Sequence, residues 1–418
     1  MKKIIALLIA ALMIFTLVAC NNDAKPENSG SGGGGQATEQ SPAPAPAASG
    51  GTGNSPAPAP APDGGGNVIG SAPVENAGSP SAAENAIGFF TDGVDPASRK
   101  TYNIVWAYMR PMQLFLNITD AMKELEPILN VKITDYCANS DIDALLQNLE
   151  IYASQGVDGF IIVIDYTANM RIKEVLDGTG LPYIGILNSV RDPNTHSNLV
   201  PLVGMDGFPM GEMMVQWLYD HYKEYWGDID TSKIGLLNFT CSPGVDFHDR
   251  YRGNQSKFEQ LLPGNVTFEA DGVVGALNEQ TGYDLASAIF AAHPEVEYWW
   301  VPTCLELYGL GALRAAEALN IDDKVLLTTV NSDVLTGLWN SGEESGYVSC
   351  IATAALQYAA PSLCGVVAMI DGKETPETLW AHRRAPGDAT TFYDMTIEFV
   401  TIDTYKAFFE WVRKESGL

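Results

Sequence analysis

Asp165 stands at the end of the unbroken apolar run Phe160-Ile161-Ile162-Val163-Ile164. A carboxylate placed there can accept hydrogen bonds from two hydroxyls of a bound solute. The same position suits a cap for the helix of the segment that follows, so both roles stay open. Arg250 offers a planar guanidinium that can fork onto vicinal hydroxyls or a carboxylate. Asp246 and Asp249 are the acids that could take it in a salt bridge instead. Cys20 offers chemistry of another kind. It closes Leu17-Val18-Ala19-Cys20, after a start with Lys2 and Lys3 and a nearly all-apolar Ile4 to Val18. That run is long enough for a signal segment and short for a membrane-spanning helix.

The small residue before Cys20 fits cleavage just ahead of the cysteine, and the pattern resembles a bacterial lipobox. The resemblance implies that residues 1–19 are removed and that the Cys20 sulfur is lipidated. Stable attachment would then rest on two or more acyl chains. The alternative is an ordinary secretory signal with a chance cysteine.

No constellation for turnover assembles elsewhere. The chain has no P-loop, no His-Glu-x-x-His and no Gly-x-Ser-x-Gly. Its histidines (196, 221, 248, 293 and 382) are scattered without metal-ligand spacing, so neither a metal nor a cofactor is expected. Glu343-Glu344 lie in a Gly/Ser-rich turn and read as solvated charge. The net charge of −27 repels phosphate backbones, and the densest basic pair after the signal is Arg383-Arg384. Nucleic-acid binding is therefore not expected. Cys137, Cys241, Cys304, Cys350 and Cys364 remain after Cys20, an odd number without a CxxC pair. At least one free thiol follows, and any bridge among them is not readable from the sequence.

With 418 residues and 46% hydrophobic content, the chain can bury a large core. Residues 20–98 stand apart. Their Gly/Ser and Pro/Ala runs carry few large apolar side chains, so they read as a disordered tether. From Lys100 onward apolar runs alternate with amphipathic stretches. Strands are expected at 102–106, 131–135, 160–164 and 183–187, with helices at 118–129 and 142–154. The alternation then repeats, with strands at 233–237, 296–301 and 325–330 and helices at 247–262, 282–292 and 307–319. Two βα-rich halves imply an α/β protein of two Rossmann-like lobes with parallel sheets. Ligands of such sheets lie beyond the strand C-termini, so facing lobes would share a cleft.

Several stretches together resemble the type I periplasmic binding proteins, the ribose- and galactose-binding branch, from about Thr101 to Val400. They are Gly156-Val157-Asp158-Gly159-Phe160-Ile161-Ile162, Gly204-Met205-Asp206 with Gly211, and Asp249-Arg250-Tyr251-Arg252-Gly253. His293-Pro294-Glu295-Val296 followed by Gly309-Leu310-Gly311-Ala312-Leu313-Arg314-Ala315 completes the set. The resemblance implies lobes joined by a multi-strand hinge. The first would take 99–205 plus about 355–388, the second 206–354 plus about 389–418. It also implies a monomeric solute receptor that closes on a sugar and delivers it to an ABC permease, lipid-anchored to the outer face of the cell membrane. The repressors of the same fold carry an N-terminal helix-turn-helix, which is not found here.

The same resemblance suggests ligand-binding residues. Gln113 falls where a polar residue sits and Phe115 where an aromatic stacks on a sugar ring. Asp165, Asn188, Arg250, Glu306, Asn331 and Thr353 follow at later strand ends. Arg250 matches the arginine three residues before a glycine at a helix start. Leu116, Asn188 and Asn331 depart from the family pattern, which leaves a nucleoside, an autoinducer furanose or an amino acid open as ligand. A sensory co-receptor for a membrane kinase or chemoreceptor is the alternative role. A cell-surface hydrolase on a bilobed scaffold is a third.

Overall fold

The computed structural model describes residues 96–380 and 392–415, apart from 193, 196, 275, 343 and 344. All of them belong to one compact unit, Pro73–Leu418. The signal segment 1–19, Cys20, the tether up to residue 95, His196, Glu343-Glu344, His382 and Arg383-Arg384 lie outside the described residues.

Two six-stranded sheets organise the described residues. The first contains β1 (Tyr102–Tyr108), β2 (Val131–Cys137), β3 (Gly159–Val163), β4 (Tyr183–Ile186), β5 (Leu202–Gly204) and β11 (Phe392–Asp394). Their spatial order is β11-β5-β4-β3-β1-β2, and every pairing is parallel. The second contains β6 (Ile234–Thr240), β7 (Thr267–Asp271), β8 (Tyr298–Thr303), β9 (Val325–Val330), β10 (Tyr347–Ala352) and β12 (Glu398–Val400). Here the order is β12-β10-β9-β8-β6-β7, with only β12 antiparallel. The matching orders make the lobes copies of one topology. Strands such as β3, β6 and β9 are buried at every residue, which is why they read as predominantly apolar runs rather than alternating ones.

Helices α1 (Gln113–Leu129), α2 (Ile142–Ser154) and α3 (Asn169–Thr179) connect the strands of the first lobe. The second lobe has α4 (Gly207–Trp226), α5 (Val245–Leu261), α6 (Glu279–Ala292), α7 (Glu306–Leu319) and α8 (Asp333–Asn340). Helix α9 (Ala355–Ile370) returns to pack on α1, β3, β4 and β5, while α10 (Tyr405–Glu415) packs on β12 and α9. Local chemistry places many of the ends. Asp141 accepts from Ala144 N at 2.9 Å to start α2, and Asn278 accepts from Thr281 N at 2.9 Å to start α6. Asn130 and Asn320, with φ of 49° and 56°, close α1 and α7 in the left-handed conformation.

The chain passes between sheets three times, at Gly204–Gly207, Ala352–Ala355 and Asp394–Glu398. This is the multi-strand hinge. Gln357 ties two of the passages together, accepting from Ala354 N at 2.9 Å and donating to Thr396 O at 2.8 Å. Residues 392–394 were expected in the second lobe. They lie in the first sheet instead, because β5 presents a parallel edge that β11 covers.

The motif glycines serve helix crossings. A Cβ on Gly211 would stand 2.1 Å from Arg250 O, and one on Gly253 would stand 2.1 Å from Phe208 O. Helices α4 and α5 therefore meet backbone to backbone. The second lobe repeats the device between α6 and α7, where Gly282 faces Tyr308 O at 2.5 Å and Gly311 faces Glu279 O at 2.2 Å.

Candidate ligand cleft

The C-terminal ends of both sheets face each other across a cleft. On the first lobe it is edged by Met109-Arg110, Asp165-Tyr166 and Leu187-Asn188-Ser189. On the second it is edged by Cys241, the start of α5, Cys304, Asn331 and Thr353. One strand end on each side carries a left-handed residue, Leu187 at φ 69° and Asn331 at φ 77°. A bulky leucine in that conformation is strained, and such strain clusters at functional sites.

The lobes touch directly. Ser189 donates its backbone N–H and its hydroxyl to the Asp246 carboxylate, each at 2.9 Å. Arg191 reaches over from the same loop to Asp249 at 3.0 Å and to Asp246 at 3.7 Å. On another part of the rim, Asn117 donates to Asp333 at 2.6 Å. Between these contacts, the Tyr166 hydroxyl meets the Cys241 sulfur at 3.5 Å, and the Tyr166 ring stands edge-on to Phe247 with centroids 6.0 Å apart. Burial raises the Tyr166 phenol and the Cys241 thiol above their ordinary values, while the nearby Arg110 charge opposes both shifts. Arg110 thus lies close enough to the cleft for its charge to act on both groups.

Arg250 lies at the centre of the second-lobe wall, only 6% exposed. Its Nη1 donates to Cys304 O at 2.8 Å, its guanidinium lies over the Phe247 ring at 5.4 Å, and its Nε has no hydrogen-bond partner. No carboxylate among the described residues lies within ion-pair distance of it. Asp249 pairs with Arg191 and Arg252, and Asp246 is held by Ser189 and Arg191. Burial lowers the Arg250 value, and Asp246 acts in the opposite sense. Two buried phenols lie nearby. Tyr358 sits close to Arg250 and Thr353, and Tyr308 close to Cys304 and Cys241. The Tyr308 hydroxyl has no hydrogen-bond partner among the described residues.

The other expected site residues divide. Asp165 is buried and accepts from Thr167 N at 2.9 Å and Thr167 Oγ1 at 2.5 Å. It closes a tight turn and leaves the cap position of α3 to Ala168. Asn188 donates to Ile164 O at 2.8 Å and so ties two strand ends together. Gln113 opens α1, is exposed, and donates to Asn117 at 2.9 Å, which places it behind the Asn117–Asp333 contact. Asn331 accepts from Thr353 Oγ1 at 3.2 Å, so these two form a pair at the second-lobe edge.

Two expectations need correction. Phe115 is a core residue, 6% exposed and packed against Trp106 and Tyr108 at 6.3 and 5.6 Å between ring centroids. The helix starts at Gln113, and that turns Phe115 inward onto β1. Glu306 is buried and spent on protein amides. One of its oxygens accepts from Val334 N at 2.8 Å and Leu335 N at 2.7 Å, capping α8. Burial pushes its carboxyl up to about 7. Trp299, Trp300 and Trp339 are buried core residues.

Sequence reasoning passed over Tyr166, Ser189, Arg191, Cys241, Tyr308 and Tyr358 as site residues. Tyr166, Ser189 and Cys241 follow strand ends, a position that could have flagged them. Tyr308 and Tyr358 sit inside helices, where nothing separates them from core. All five cysteines of the folded part are free thiols, and no metal-ligand cluster occurs among the described residues. No described helix is long and apolar enough to cross a membrane.

No family model matches the chain. It is 23% identical over 273 residues to an L-arabinose-binding periplasmic protein of an ABC transporter from Azospirillum brasilense, covering 62% of this chain and 77% of that protein. Among solved structures it is similar to a periplasmic solute-binding protein from Actinobacillus succinogenes with bound D-allose. The TM-score there is 0.57 at 15% identity, over 74% of this chain and 100% of the other. An ABC transporter solute-binding protein from Bacillus halodurans with bound myo-inositol gives 0.55 at 16%, over 76% and 98%. An arabinose-binding protein from Geobacillus stearothermophilus gives 0.57 at 16%, over 74% and 99%.

Proposed function

We propose that this chain, which has the fold of the type I periplasmic binding proteins, is an extracytoplasmic, lipid-anchored solute-binding protein. It captures a sugar in the interlobe cleft and delivers it to an ABC permease, working as a monomer without catalysis. The observation that carries the reading is Arg250, a buried guanidinium at the cleft wall with an unpartnered Nε, enclosed where the lobes meet. A buried polar group without a partner is costly, and a solute atom would satisfy it. Ligands of the similar structures, D-allose and myo-inositol, support a polyhydroxylated solute. One lobe binds first, and closure adds the contacts of the other, so the closed state is selected by differential contacts. Membrane attachment rests on the lipobox-like Leu17-Val18-Ala19-Cys20 and a tether over residues 20–98.

A thermal-shift screen with pentoses, hexoses, polyols, nucleosides and amino acids tests the binding role. A solute that binds only the native state adds about 2.7 kcal/mol at a hundredfold excess over Kd. A shift with one sugar class is expected, and a shift with nucleosides or amino acids alone would overturn the sugar assignment. In fractionated bacterial cells, Cys20→Ser should move the chain from membrane to soluble fraction. Retention in the membrane would refute the lipid anchor.

A further inference from the structure

Helix α10 is bonded to both lobes, and its two ends are held differently. The first turn is fixed to the second lobe. Tyr405 is buried, its ring stands 5.3 Å from that of Trp339, and its hydroxyl donates to Asn340, the last residue of α8, at 2.7 Å. Two turns later Arg413 reaches α1 of the first lobe. Its Nη2 donates to Glu124 Oε1 at 2.7 Å and its Nη1 to Glu124 Oε2 at 3.3 Å. A two-pronged pair of this kind fixes orientation as well as distance. Both side chains are about half exposed, so the fork can open into water at small cost.

The fork completes a ring of three helices. Asn117 of α1 donates to Asp333 in the first turn of α8 at 2.6 Å. Asn117 and Glu124 are seven residues apart, so one face of α1 takes both α8 and α10. Two sides of the ring, Asn117–Asp333 and Glu124–Arg413, cross from one lobe to the other. We propose that α10 is a splint across the lobes, anchored on the second lobe at Tyr405 and holding the first lobe closed through the Arg413–Glu124 fork, which breaks when the lobes part. A helix is stiff, and opening moves α1 against α8, so α10 cannot keep both ends bonded. Releasing the buried Tyr405 end would cost more than releasing the exposed fork, so the fork gives way. A contact made in one arrangement alone shifts the population toward that arrangement. Closure then draws less on the binding energy of any solute taken into the cleft.

Pulsed electron paramagnetic resonance measures the lobe arrangement without any solute, so its outcome is independent of the sugar-binding reading. Spin labels are placed on Ile151→Cys in α2 and Val266→Cys ahead of β7, exposed positions on different lobes. The background is the full chain with Cys20→Ser and Cys137→Ala, whose remaining native thiols are buried. Arg413→Glu and Glu124→Arg should each raise the share of molecules away from the closed-lobe distance by about twofold to fivefold. The chain carrying both substitutions re-forms the fork with its charges exchanged and should return to the original distribution. Glu124→Gln, which removes the charge without reversing it, should move the distribution in the same direction by less. Unchanged distances in both single reversals would overturn the splint, even with a lowered melting temperature, because the pair would then be a local surface contact. Failure of the exchanged pair to restore the distribution would overturn it as well.

Discussion

Ser189 and Asp246 belong to different lobes, yet the serine donates both its backbone N–H and its hydroxyl to the aspartate, each at 2.9 Å. Both residues are buried. Ser189 follows β4, and Asp246 lies in the first turn of α5, four residues from the guanidinium at its next turn. The contact therefore joins lobe closure to the wall that faces the solute. A hydrogen bond to a charged group contributes about 1.5–3 kcal/mol, and here it is available only when the lobes are together.

Asp246→Asn leaves at most one acceptor oxygen for two donors and should weaken solute affinity by roughly tenfold to a hundredfold. The loss should lie mainly in the dissociation rate, because the contact forms after encounter. Stopped-flow kinetics with the solute found in the screen measures it. An unchanged dissociation rate would show that closure does not depend on this pair.

Glu306 sets a pH dependence of stability. Its carboxyl is pushed from 4.5 to about 7 by burial, with the amides of α8 opposing the shift. Below pH 4.5 the group is protonated in both folded and unfolded chains and costs nothing. Between 4.5 and about 7 the unfolded chain releases the proton first, so stability drains away as pH rises. The loss levels off above pH 7, at a total on the order of 3 kcal/mol. Glu306→Gln keeps an acceptor for Val334 N and Leu335 N but cannot titrate. Its stability relative to the unaltered chain should rise by that amount from pH 4.5 to pH 8 in urea unfolding. A gap that stays constant with pH would contradict the assignment.

Two glycines in helices should respond oppositely to alanine. Gly253→Ala forces a methyl group to within 2.1 Å of Phe208 O, a backbone atom that cannot step aside. A cost of about 3 kcal/mol or more is expected, since α4 and α5 must part. Gly178→Ala in α3 meets nothing within 4 Å and should stabilise by about 0.5–1 kcal/mol. Chemical denaturation of both variants gives the comparison, and similar values would remove the crossing as the reason for Gly253.

Much of the framework is legible without the structure. β9 and α2 occupy the residues expected, Val325–Val330 and Ile142–Ser154. Both are marked by local signals, a run rich in apolar and β-branched residues in one and the Asp141 cap in the other. Helix α1 is the contrary case. It begins at Gln113, five residues before the expected Ile118, because Met112 provides no side-chain cap to mark the start. That displacement is what carried Phe115 from the expected cleft into the core.

The amino-acid sequence by itself determined the two-lobed α/β plan, the strand ends that edge the cleft, and Arg250 as the residue to watch. These follow from side-chain periodicity and from groups a few residues apart, which the chain order records directly. Only the tertiary structure decided which groups share the acids beside Arg250. Ser189 and Arg191 lie about sixty residues before Asp246 and Asp249 in the chain, and α8 lies far enough from Glu306 that no spacing links them. Whether a buried charge is balanced depends on every group within a few ångströms, and folding, not sequence order, chooses those groups.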